Sequence, residues 1–101
     1  MNTTEQIPPR LCAKRIIVQG RVQGVGFRYF TRDVGEILGL TGDARNLPDG
    51  TVEIVVEGNA GKVADFIEEV KRGPTRARVD HVDVKDIPIR GSYRSFTIEG
   101  I

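Results

Sequence analysis

The chain has 101 residues, 39% apolar and 29% charged, the balance of one compact globular domain rather than of a disordered segment. Fifteen basic against fourteen acidic side chains leave a formal charge of +1, without the basic excess that non-specific nucleic-acid binding calls for. One cysteine and one histidine exclude an intrachain disulfide and a structural zinc site, and no run approaches the roughly 20 apolar residues of a membrane helix.

Residues 1–10, MNTTEQIPPR, have neither the basic start nor the apolar stretch of a signal peptide. They read as a polar tail ahead of a single domain over 11–101, and the cytoplasm is the expected compartment. Leu11 to Gln19 is apolar and β-branched towards its end, a strand with Ile16 and Val18 on one face. A glycine-rich loop follows. Phe27, Phe30, Val34, Ile37 and Leu38 then recur at helical spacing, which leaves Arg28, Thr31, Arg32 and Glu36 on other faces and Gly39 to end the helix. Pro48-Asp49-Gly50 marks a turn between two extended runs, the second alternating at Val52, Ile54 and Val56. Asn59 can cap a second helix whose apolar face is Val63, Phe66, Ile67 and Val70. Lys71 and Arg72 suit its C-terminal end, and Gly73-Pro74 stops it. A strand through Val79, Val82 and Val84 slips phase near His81, as a β-bulge would make it do, and Phe96 and Ile98 mark a short last strand. The expected architecture is α+β and ferredoxin-like: a βαββαβ sandwich with an antiparallel sheet, both helices on one face and a short extra C-terminal strand.

The loop GRVQGVGFR, residues 20–28, lacks the lysine-hydroxyl pair of a Walker A loop. It also has Tyr29 where a dinucleotide fingerprint needs its third glycine. Its chemistry still favours an anion. The helix begins just after Gly26 with no serine, threonine, aspartate or asparagine to cap it, so its first N–H groups lack partners. Those groups, the positive end of the helix dipole and the forked guanidinium of Arg28 suit a phosphate or carboxylate. Glycines without these companions would read as a turn beside a surface arginine.

With these residues in view, the sequence resembles the acylphosphatases. Gly20 to Arg28 match that family's signature G-x-V-Q-G-V-x-F-R throughout, and Gly42, Ala44, Arg45, Asn46, Gly50, Val52 and Gly58 fit its second signature. The resemblance covers about residues 11–99. It implies hydrolysis of a small-molecule acyl phosphate to a carboxylate and inorganic phosphate, without metal or cofactor; the charge balance and the lack of an apolar span lead us to expect neither a nucleic-acid nor a membrane partner. It assigns the phosphate to the backbone N–H groups of Arg21, Val22, Gln23, Gly24, Val25 and Gly26 and to the Arg28 guanidinium. It assigns the positioning of the attacking water to Asn46. Asp43 departs from the pattern, standing where the family has an aromatic residue, which bears on packing beside the site. A chain of this size that ends soon after its last strand is expected to be a free-standing monomer.

The implied chemistry is consistent with the residue types. Phosphoryl transfer from an activated acyl phosphate needs positioning and charge stabilisation rather than covalent catalysis. An asparagine amide both donates and accepts, so it can orient a water without acting as a strong base. Other polar residues have plainer readings: His81 as an edge-strand residue, Cys12 as a small packing residue, Asp33 and Glu36 as exposed helix positions, and residues 71–78 as a solvated basic turn. Two rival functions remain. An RNA-recognition module shares the element order, but TVEIVVE and LCAKRIIVQ carry no aromatic on which a base could stack. A regulatory domain of the same fold would hold acyl phosphate without turning it over.

Overall fold

The computed structural model describes residues 10–100, and the tail expected over 1–10 lies, apart from Arg10, outside them. The elements are β1 (Leu11–Arg21), α1 (Phe27–Ile37), β2 (Thr41–Asn46), β3 (Val52–Asn59), α2 (Ala60–Arg72), β4 (Arg78–Ile87) and β5 (Phe96–Glu99). The alternation of β1 and β3 puts Ile16, Val18, Val52, Ile54 and Val56 on one face of the sheet, where they form the core with Phe27 of α1 and Val63, Phe66 and Val70 of α2. Both helices therefore cover the same face.

The strand order is β4-β1-β3-β2-β5. Four strands are antiparallel, as expected, but β5 pairs with β2 in parallel, so the sheet is mixed. The connection explains the departure. Strands β4 and β5 sit on opposite edges, and residues 88–95 join them around one end of the sheet. Strand β5 thus runs back against β4, which makes it parallel to β2. Glu57, buried in β3, accepts from the N–H groups of Arg90 (2.8 Å) and Gly91 (3.1 Å) and holds this connection down.

Helix α1 is rotated from the expected apolar face. Its buried residues are Phe27, Thr31 and Gly35, Val34 and Leu38 are half-buried, and Ile37 is 84% exposed. Gly35 lies directly against the ring of Phe96, an approach that its missing side chain allows. Thr31 tolerates full burial because its Oγ1 donates to the Arg28 carbonyl at 2.8 Å. The helix ends as expected at Gly39 (φ 71°), with Gly39 N–H bonded to Glu36 O and Leu40 N–H to Gly35 O, a Schellman motif.

Helix α2 starts where Asn59 Oδ1 accepts from Lys62 N–H at 3.1 Å and stops at Gly73 (φ 70°). The phase slip in β4 is a bulge: Gln19 pairs with His81 but Gly20 with Val79, which leaves Asp80 as the extra residue.

Candidate active site

Strand β1 runs two residues further than its apolar pattern, to Arg21, whose partner is Arg78. Beyond it the loop is fastened by two apolar side chains, Val22 and Val25, that belong to the core. Between and after them Gly24 (φ 73°) and Gly26 (φ 78°) adopt the left-handed conformation, with nothing within 4 Å of where a Cβ would stand. The need for glycine here is conformational, and it leaves the backbone bare on its outer side. Gly26 is the N-cap of α1; no side chain caps the helix, and no acidic residue occupies its first turn.

Gln23 ties this loop to the β2–β3 hairpin. Its Nε2 donates to the carbonyl oxygens of Leu47 (2.8 Å) and Thr51 (2.9 Å). The hairpin is closed by Leu47 N–H to Thr51 O at 2.9 Å and Gly50 N–H to Leu47 O at 3.1 Å, the Pro-Asp-Gly turn expected here. Asn46, the last residue of β2, pairs with Val52 and so projects from the helix-covered side of the sheet. Its neighbour Arg45 projects from the opposite side, where it meets Glu53 (3.7 Å) and Asp43 (3.6 Å). Arg28, second in α1, donates through Nη1 to the carbonyl of Glu99 at 2.9 Å.

These elements enclose a cavity of about 160 Å³ lined by Val22, Gly24, Gly26, Phe27, Arg28, Tyr29 and Asn46. Its size suits a small anion such as a phosphate group. The structure brings Arg28, Asn46, Val22, Gly24 and Gly26 to this one cavity. Gln23 turns its side chain to the hairpin, Val25 turns its own to the core, and Arg21 extends from the end of β1. A larger cavity, about 670 Å³, lies away from the loop, between the start of β1, α2 and residues 86–89.

His81 is exposed on edge strand β4, as expected, and Cys12 is half-buried. Among the described residues, no group of three or more His, Cys, Asp or Glu side chains is placed to hold a metal ion, and no helix is long and apolar enough to cross a membrane. Asp43 lies on the open face of the sheet, only 8% exposed, with Oδ1 unpartnered among the described residues. Burial pushes its carboxyl above the usual aspartate range, against the pull of the Arg45 guanidinium.

Three site features escaped the sequence reading: the Gln23 tether, the Glu99 carbonyl behind Arg28, and Tyr29 at the cavity wall. A lone amide side chain between two glycines was an available signal for the first. The second is a backbone group brought in by the parallel pairing of β5 and has no signature.

The acylphosphatase family model matches residues 14–98. An acylphosphatase of Caldivirga maquilingensis is 57% identical over 85 residues, 83% of this chain and 90% of that one. The crystal structure of acylphosphatase from Bacillus subtilis superposes with a TM-score of 0.85 at 38% identity, covering 90% of this chain and all of that one. Full-length HypF, in its phosphate- and nucleotide-bound form, contains a similar unit: TM-score 0.85 at 32% identity, over 93% of this chain and 12% of HypF.

Proposed function

Because the chain belongs to the acylphosphatase family, whose members hydrolyse acyl phosphates, we propose that the glycine-loop cavity is where it does so. The phosphate is held by the loop N–H groups between Arg21 and Gly26 and by the guanidinium of Arg28. Asn46 orients a water in line with the bond to the acyl oxygen. The water oxygen attacks phosphorus, the bond to the acyl oxygen breaks, the acyl group leaves as a carboxylate, and the proton of the water passes to the phosphate. The domain works as a monomer in the cytoplasm, with neither metal nor cofactor.

One observation carries this reading: Arg28 from α1 and Asn46 from β2 line the same small cavity as Gly24 and Gly26, whose left-handed backbone opens onto it. A fixed cation and fixed N–H donors stabilise the charge that develops on the transferring group, and they need no rearrangement as the reaction proceeds. An amide that donates and accepts suits a water whose own acidity is left to the substrate.

The test is hydrolysis of benzoyl phosphate with excess EDTA, wild type beside Asn46→Ala. Turnover indifferent to EDTA that falls on the order of a hundred- to a thousandfold in the variant supports the reading. A folded wild type that binds phosphate without turnover overturns it in favour of a regulatory acyl phosphate-binding domain.

A further inference from the structure

We infer that Tyr29 forms the acyl half of the site and tunes it towards acyl phosphates whose acyl group is flat and aromatic. The inference rests on the reading of the cavity as the acyl phosphate site and goes on to name the substrate class. Of the side chains around the cavity, Val22 and Phe27 are buried in the core and form its floor, and Arg28 and Asn46 are polar. Tyr29 also lines the cavity and, at 55% exposed, is the lining residue whose apolar side chain lies open to solvent. A phosphate seated against the loop therefore points its acyl group outward, past this ring.

The ring is braced by a neighbouring cation. Arg28 and Tyr29 are successive residues of α1, so their side chains diverge by about 100° around its axis. The guanidinium of Arg32, one helical turn on, sits 5.3 Å from the ring centroid, and its Nη2 is paired with Asp33 Oδ1 at 3.1 Å. A cation over one face braces the ring and leaves the other to a ligand. A methyl or amino acyl group covers little of that face, whereas an aromatic acyl group can stack on it or meet it edge-on. Such aromatic pairs change affinity by roughly three- to tenfold.

The experiment is steady-state kinetics on benzoyl phosphate and acetyl phosphate with wild type, Tyr29→Phe and Tyr29→Ala. Folding is checked by circular dichroism. The quantity read is the benzoyl-to-acetyl ratio of kcat/KM, compared between proteins so that the different leaving groups cancel. The expected result is a ratio lowered roughly three- to tenfold in Tyr29→Ala, mainly through KM for benzoyl phosphate, and retained in Tyr29→Phe. Turnover of both substrates with the ratio unmoved in Tyr29→Ala overturns this inference and leaves the proposed function standing. Equal loss in both variants also overturns it, by assigning the effect to the hydroxyl. A folded wild type that hydrolyses neither substrate overturns the proposed function and the inference together.

Discussion

The guanidinium of Arg28 is anchored to the last residue of β5: Nη1 donates to the carbonyl oxygen of Glu99 at 2.9 Å. One arm of the fork is spent on the fold, which fixes the plane of the group and leaves its other N–H donors to a ligand. A side chain that carries this many rotatable bonds binds an anion more tightly when it is already ordered.

Arg28→Lys keeps the charge but not the planar fork. It cannot hold the Glu99 carbonyl and span two phosphate oxygens at once. We expect kcat/KM for benzoyl phosphate to fall by about a hundred- to a thousandfold, with weaker competitive inhibition by inorganic phosphate. Steady-state kinetics with and without phosphate checks both, and wild-type values in the lysine variant would remove Arg28 from the site.

Gln23 acts at one remove, by fixing the loop against the hairpin that carries Asn46. Gln23→Leu deletes two hydrogen bonds, and both carbonyls keep a backbone donor of their own, so the stability loss is about 1–2 kcal/mol. Gln23→Glu replaces the donor with a carboxylate facing two carbonyl oxygens, and the loop and hairpin are pushed apart. The expected order of both Tm and kcat is wild type, then leucine, then glutamate, with the glutamate variant recovering as its carboxyl is protonated at low pH.

Asp43 makes stability depend on pH in a definite direction. Its folded carboxyl titrates above the ordinary value of 3.8, so the folded protein binds this proton more tightly than the unfolded chain does. The stability it contributes is present below that value and is lost as the pH rises through the raised one. Asp43→Asn, which cannot ionise, is therefore expected to raise Tm at pH 7. The gain should vanish below pH 3.8, and thermal melts of both proteins from pH 3 to 7 would show it.

Gly35→Ala tests the rotation of α1. A Cβ there collides with the Phe96 ring, which is itself packed 5.6 Å, centroid to centroid, from Phe66. Overpacking of this kind costs about 1–3 kcal/mol. Chemical denaturation should show the loss, and Phe96→Leu in the same chain should restore part of it.

Element types and most of their ends were legible in the sequence because their causes are local. The Asn59 cap, the Gly39 and Gly73 stops and the Pro48-Asp49-Gly50 turn each depend on residues a few positions apart. The bulge facing Gly20 showed as a broken alternation. Apolar spacing alone points Ile37 inward on α1, whereas the closeness of Phe96 to Gly35 decides the rotation, and those residues are far apart in the chain.

The features that favour an anion at the glycine loop are local, since left-handed glycines, an uncapped helix start and a first-turn arginine belong to one short segment. Asn46 differs: on residue type it reads as a turn residue, and only the family's second signature singled it out. Its place beside Arg28 comes from β2 and β3 pairing in register while Gln23 pins the hairpin to the loop. The Glu99 anchor depends in turn on β5 adding to β2 in parallel. These contacts join elements whose approach is set by burial of a shared core, and no spacing along the chain encodes them.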